Sequence, residues 1–150
     1  MLLSAKSMYY SGLAVFSAAG AALVSALGGW DSSLQVLIGI MAADYILGVA
    51  IALVWHKSQK SKDGTFESNA SLKGLLRKFS VLLVVYIAVQ LDMLTQTDGY
   101  IRTAVIMFFV AHEGFSIIEN LGIMGMPLPD AVVNAFAAIK QQSEKANKTE

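Results

Sequence analysis

Long apolar runs, rather than apolar stripes, organise this chain. Hydrophobic residues are nearly continuous from Met8 to Leu27, Leu34 to Trp55, Phe79 to Leu94 and Ile101 to Gly122. A membrane helix needs roughly 20 mainly apolar residues, because each adds about 1.5 Å across a hydrocarbon core of about 30 Å. The second run spans outright. The third is short, and Arg77 and Lys78 at its start extend its reach by snorkelling toward the headgroups. The pattern predicts an all-α fold of polytopic transmembrane helices, with four spans inside a domain covering residues 1–126.

The joints between the runs agree. Gly28-Gly29-Trp30-Asp31-Ser32-Ser33 carries turn residues, and Asp31 or a serine is placed to cap the next helix. Thr95-Gln96-Thr97-Asp98-Gly99 has the same character. Both joints are short, so the helices they link are antiparallel neighbours. After Pro127 and Pro129 the period changes. Val132, Ala135, Phe136 and Ile139 share one face and Asn134, Lys140 and Gln141 the other, which predicts a short C-terminal amphipathic helix. A charged tail, Ser143 to Glu150, completes the region 127–150.

Composition supports a membrane solvent. The 150 residues are 55% hydrophobic and only 15% charged, against about 25% charged in soluble domains. Charge placement then sets orientation. Lys57, Lys60, Lys62, Lys73, Arg77 and Lys78 surround the central loop; Lys140, Lys145 and Lys148 lie in the tail; Lys6 precedes the first span. Of the 11 Lys and Arg residues only Arg102 falls on the other side. The positive-inside rule therefore places both termini in the cytoplasm of a bacterial cytoplasmic membrane. The first segment allows a second reading. Lys6, the apolar stretch and Val24-Ser25-Ala26 resemble a signal peptide with a small-residue cleavage site, and cleavage would leave three spans.

Polar residues inside the runs are the candidate functional groups. Asp44 lies mid-way along the second run and Asp92 near the end of the third. The fourth holds His112, Glu113, Ser116, Glu119 and Asn120. Spacings of three and four put His112, Ser116, Glu119 and Asn120 on one stripe, with Glu113 at its edge. A charge facing lipid at mid-span costs about 2.5–3.5 kcal/mol, so these groups should line helix contacts or a watery lumen. Gly20, Gly39 and Gly48 are candidate points of close helix packing, and the small residues around Gly20 reinforce that reading.

Other chemistries are poorly supported. The chain has no cysteine, which excludes disulfides, thiolate metal sites and cysteine nucleophiles. His112-Glu113 opens like a zinc-protease motif, but position 116 is Ser116 where the second histidine would stand. Gly122 and Gly125 precede prolines and read as a helix end rather than a phosphate loop. The basic loop lacks interleaved aromatics, so topology and anionic lipid explain it better than nucleic acid. No enzyme activity, cofactor or metal is expected.

The order of short motifs resembles the toxin-secretion/phage-lysis holin family. Asp44-Tyr45-Ile46-Leu47-Gly48 is followed by Ser68-Asn69-Ala70-Ser71-Leu72-Lys73-Gly74-Leu75-Leu76-Arg77-Lys78, then a span ending in Leu91-Asp92. Glu113-Gly114-Phe115-Ser116-Ile117-Ile118-Glu119-Asn120 and Gly125-Met126-Pro127-Leu128-Pro129 follow. The resemblance covers about Met41 to Lys148; the first segment is longer and richer in Ala and Gly than the family pattern. It implies a homo-oligomer in the lipid bilayer that opens holes for an endolysin, its functional partner, or for a toxin. Two rival classes fit the same residues. One is a small ion channel or transporter subunit relaying cations through Asp44 and Glu113. The other is a non-conducting scaffold or holin antagonist.

Overall fold

The computed structural model describes residues 2–58, 63, 65–132 and 134, with the backbone alone for residues 2–5. Four helices follow in order: α1 (Leu2–Ala26), α2 (Ser32–Ala50), α3 (Ser68–Thr95) and α4 (Tyr100–Ile123). A π-helical turn, Ile51–Trp55, prolongs α2 and ends at His56 in a left-handed conformation. All four segments are long and apolar enough to cross a membrane, as the run lengths predict. No strand occurs among the described residues.

The third helix departs from its expected bounds. It starts at Ser68, eleven residues before the apolar run. That run marked only where the side chains suit lipid. The preceding segment still favours helix, because Leu72, Leu75 and Leu76 alternate with Lys73 and Arg77, all good helix formers. The C-terminal amphipathic helix lies mostly outside the described residues. Asp130–Val132 is helical, and the Val132 amide donates to Pro129 O at 2.9 Å. Ala135, Phe136, Ile139 and the charged tail fall outside, as do Lys60 and Lys62 of the central loop.

Two helix ends are closed by glycine. The Gly28 amide donates to Ser25 O and the Gly29 amide to Val24 O, both at 3.0 Å, with Gly28 at φ +87°. This is the Schellman arrangement, which needs a left-handed residue just past the helix. Gly125, at φ +79°, ends α4 the same way, through Gly125 to Gly122 and Met126 to Leu121. Asp31 supplies the cap of α2: its Oδ1 accepts from the Leu34 amide at 3.0 Å and from the Ser33 hydroxyl at 2.8 Å. Of the capping candidates in that turn, the aspartate does the work.

Contacts divide the chain into two compact units. One comprises Met1–Gly39 and Leu76–Phe109; the other comprises Ile40–Leu75 and Val110–Glu150. The first unit buries Leu27, Leu34, Leu37, Val81, Val85, Ala88 and Ile106 around the polar pair Asp92 and Arg102. The buried positions of α3, Val81, Val85, Ala88 and Asp92, repeat at four and three residues, so one face of the helix turns inward. The second unit buries Met41, Ile51 and Ala52 together with Asp44 and Glu113. Lipid tails are as apolar as leucine, so burial of leucine against leucine gives little net drive in a bilayer. Polar contacts therefore weigh more in fixing helix positions than they would in a soluble protein.

α1 stands apart energetically. None of its residues from Lys6 to Leu23 is buried or half-buried. A Cβ added at Gly20 would meet nothing within 4 Å, and the same holds at Gly39 of α2. Neither glycine is a contact between helices of one chain. Gly48, half-buried, lies on a different part of α2.

Candidate functional site

The buried polar groups form two clusters, one in each unit. In the first unit, Arg102 is the centre. It stands in the first turn of α4 and is only 7% exposed. Its Nε donates to Leu27 O at 2.7 Å and its Nη2 to Gly29 O at 3.3 Å. Those carbonyls belong to the end of α1 and the turn after it, where helical partners are lacking and the helix dipole is negative. Arg102 Nη1 meets Asp31 Oδ2 at 2.6 Å, and Nη2 reaches Asp31 Oδ1 at 3.2 Å. A planar, forked cation is suited to this, because three nitrogens reach two carbonyls and a carboxylate at once. Gly28 makes the seat: a Cβ there would lie 2.6 Å from Arg102 Nε and 2.9 Å from its Cδ.

Asp92 closes the same cluster from below. Its Oδ1 accepts from the Ile101 amide at 2.9 Å and its Oδ2 from the Arg102 amide at 2.8 Å. The Thr97 hydroxyl also donates to Oδ1. A carboxylate on α3 thus caps the N-terminus of α4, where amide donors and a positive dipole favour negative charge. The joint between them takes left-handed residues at Gln96 (φ 55°), Asp98 (φ 50°) and Gly99 (φ 81°). Two of these are not glycine, and each costs about 1–2 kcal/mol, which the Asp92 bonds offset. The two short joints, 27–31 and 96–99, are held together at one end of this unit through Arg102 and Asp31.

Arg102 and Asp31 change the electrostatic reading of that end. The Arg102 hydrogen bond, followed by the Leu34 amide and the Ser33 hydroxyl, holds the Asp31 carboxyl well below the usual carboxylate range, against the opposing effect of partial burial. Arg102, the basic residue at this end of the unit, is therefore neutralised by a partner.

The second unit carries the other cluster. Asp44 is 3% exposed and Glu113 4% exposed. Asn120 Nδ2 donates to Asp44 Oδ1 at 3.2 Å, joining α4 to α2. Glu113 and Asn120 are seven residues apart, about two turns, and so lie on one side of α4. His112 and Glu119 are exposed. The expected single stripe therefore splits: Glu113 and Asn120 turn inward, Ser116 is half-buried between, and His112 and Glu119 lie on the outer flank. At about 100° per residue, Glu113 sits only about 20° from Asn120 but about 100° from His112, which is why spacing alone placed it at the edge. Nearby, the Tyr45 hydroxyl and the Ser71 hydroxyl are 2.6 Å apart, linking α2 to α3. No group of three or more His, Cys, Asp or Glu side chains suited to a metal ion occurs among the described residues.

Sequence reading missed the role of Arg102 and the second use of Asp31. A signal existed. An arginine in the first turn of an apolar helix is expensive unless paired, and the joint Gly28-Gly29-Trp30-Asp31 offers carbonyls and a carboxylate. The basic residues that were singled out are placed as follows: Lys57, Lys73 and Arg77 are exposed, and Lys78 is half-buried.

Comparison with known proteins gives a consistent picture. The bacteriophage holin family matches residues 21–141. A probable holin of Bacillus phage phi105 is 30% identical over 117 residues, 78% of this chain and 79% of that protein. An uncharacterised protein of Clostridium perfringens is 34% identical over 121 residues, 80% of this chain and 82% of that protein. An uncharacterised protein of Listeria monocytogenes is 34% identical over 113 residues, 75% of each chain. No solved structure matches.

Proposed function

The chain belongs to the bacteriophage holin family, and we propose that it acts as a holin: it accumulates in the bacterial cytoplasmic membrane, oligomerises, and opens holes that release endolysin, or a toxin, toward the cell wall. The structural observation that supports this most directly is the pair of carboxylates, Asp44 and Glu113, in the interior of a unit built from membrane-spanning helices. Such groups are stable against other helices or against water, and unstable against lipid. An assembly that moves them from one to the other has two states. α1 supports the assembly step, because among the described residues its long apolar surface from Lys6 to Leu23 is exposed throughout.

Inducible expression in bacteria tests this reading. Together with a cytoplasmic endolysin, the chain should cause an abrupt fall in optical density at a set time. Endolysin alone should cause none. A channel that passes only ions would dissipate the membrane potential while the endolysin stayed inside, and a scaffold or antagonist would leave cells alive. Either outcome overturns the proposal.

The same reading includes topology, with both termini and the 56–67 loop in the cytoplasm. Thr65→Cys and Asn147→Cys should resist a membrane-impermeant maleimide in intact cells and react after lysis. Gln96→Cys, in the opposite joint, should react from outside. Strong external labelling at position 65 would reverse the orientation.

A further inference from the structure

The first eleven residues of α3 precede its apolar run, Phe79 to Leu94. α3 has 28 residues, about 42 Å at about 1.5 Å per residue, against a hydrocarbon core of about 30 Å. Its far end is fixed, because Asp92 caps α4 and the 96–99 joint folds directly beneath it. The surplus, about eight residues, falls to the Ser68 end, because the apolar run begins only at Phe79 and runs on to Leu94.

That emergent segment has two unlike faces. One is held: the Tyr45 hydroxyl contacts Ser71 at 2.6 Å, and a Cβ on Gly74 would lie 3.9 Å from the Tyr45 ring. The other face carries Leu72, Leu75, Leu76 and Phe79, spaced at three and four residues. These side chains are between 54% and 56% exposed. Exposed Lys73 and Arg77 lie beside this stripe, on successive turns of the same helix.

We propose that Ser68–Phe79 is an interfacial strip that binds the headgroups of anionic phospholipids. Leu72, Leu75, Leu76 and Phe79 sink into the boundary between headgroups and acyl chains, and Lys73 and Arg77 pair with lipid phosphate. The charge pattern favours lipid over a second copy of the chain. A second copy would bring the same cations against each other, whereas an anionic leaflet answers both. A helix at the interface with an apolar face and flanking cations is stabilised by buried apolar area and by attraction to anionic lipid together. Each basic residue near an anionic surface adds about a fivefold preference. The strip would fix the depth and rotation of α3, and through Tyr45 the attitude of α2. In cells its occupant is the inner leaflet, which rests on the topology proposed above.

The test uses the full chain, which has no native cysteine. Leu75→Cys is labelled with a polarity-sensitive fluorophore and reconstituted in symmetric vesicles of neutral phosphatidylcholine or of phosphatidylcholine with phosphatidylglycerol. Leu72→Cys is the second reporter, in case one site disturbs insertion. In anionic vesicles the emission should shift to the blue and quenching by aqueous iodide should fall severalfold. Lys73→Gln with Arg77→Gln should weaken that preference about 25-fold, and high salt should reduce it too. Equal shielding in both vesicle types, unchanged by the double substitution, overturns the proposal. So does a label that stays open to water in both. Shielding that disappears when protein is diluted in lipid would assign the stripe to a second copy and also overturn it. Symmetric vesicles present the same lipid to either orientation, so failure here is separate from failure of the topology, which the Thr65→Cys labelling reads.

Discussion

Arg102→Leu should be the most destabilising single change outside the lipid-facing surface, by about 2–4 kcal/mol. Leucine keeps the bulk but donates nothing. Leu27 O and Gly29 O then lose their donor, and an unsatisfied buried acceptor costs about 1–3 kcal/mol. Asp31 loses its cation as well, but its side chain is 48% exposed, so water recovers most of that term. Arg102→Lys should fall between, because one ammonium cannot reach Leu27 O, Gly29 O and both Asp31 oxygens together. Gly28→Ala should mimic the loss from the other side. It places a Cβ 2.6 Å from Arg102 Nε at φ +87°, adding about 1–2 kcal/mol of backbone strain while driving the guanidinium from its seat. The double variant Gly28→Ala with Arg102→Leu should therefore cost less than the sum. Unfolding in detergent, followed by helical circular dichroism, measures all four. The pH dependence has a definite sign. Arg102 lowers the Asp31 carboxyl, so the contribution of this pair is present above the ordinary carboxylate pKa of about 3.9 and is lost as pH falls below it. The gap between wild type and Arg102→Leu should stay level from about pH 5 to 8 and narrow in stronger acid. Additive double-variant costs, or a gap that closes near neutrality, would show that Arg102 does not hold these elements together.

What the sequence discloses differs by scale. Run length alone locates α2 with its π-helical turn, and α4, to within about two residues, because a bilayer imposes a minimum apolar length. It mislocates the start of α3, because helix propensity continues into residues that no longer suit lipid. Gly28 and Gly125 were readable as helix ends, since a left-handed residue there is almost a requirement for glycine. Asp44 and Glu113 stood out because a carboxylate in an apolar run has few stable settings. The contact of Asp44 with Asn120 was not readable: they are 76 positions apart, and no local period links them. Arg102 was misread for a related reason. Counting charges by loop treats each as solvated, while its position in the first turn of α4 lets it fold back on the end of α1. The inward turn of Glu113 also depended on the helix's rotation about its own axis, which a stripe defined by spacing leaves free.

Charge removal within the second unit should delay lysis. Asp44 and Glu113 are nearly inaccessible in the single chain, and we expect them to meet water when holes open. A carboxylate gains strongly from that move, whereas a neutral amide gains less. Glu113→Gln keeps size and hydrogen-bonding atoms but removes the charge, so it should favour the dry state. If the cost of a mid-span charge, about 2.5–3.5 kcal/mol, is even half expressed, the balance between dry and open states shifts about tenfold. Lysis by Glu113→Gln at equal membrane levels should come distinctly later than in wild type. Asp44→Asn should act in the same direction. There the Asn120 amide, which donates at 3.2 Å, still finds an acceptor in the new side chain, so folding should be little changed. Asn120→Leu separates the two effects. It removes the donor and leaves the Asp44 charge, and should lower stability by about 1–3 kcal/mol while advancing lysis or leaving its time unchanged. Glu113→Leu removes charge and polar contact together and should delay lysis most. Optical density after induction, with membrane levels matched by immunoblot, reads each time. Wild-type timing in both Glu113→Gln and Asp44→Asn would mean that these carboxylates serve helix packing alone and take no part in the hole.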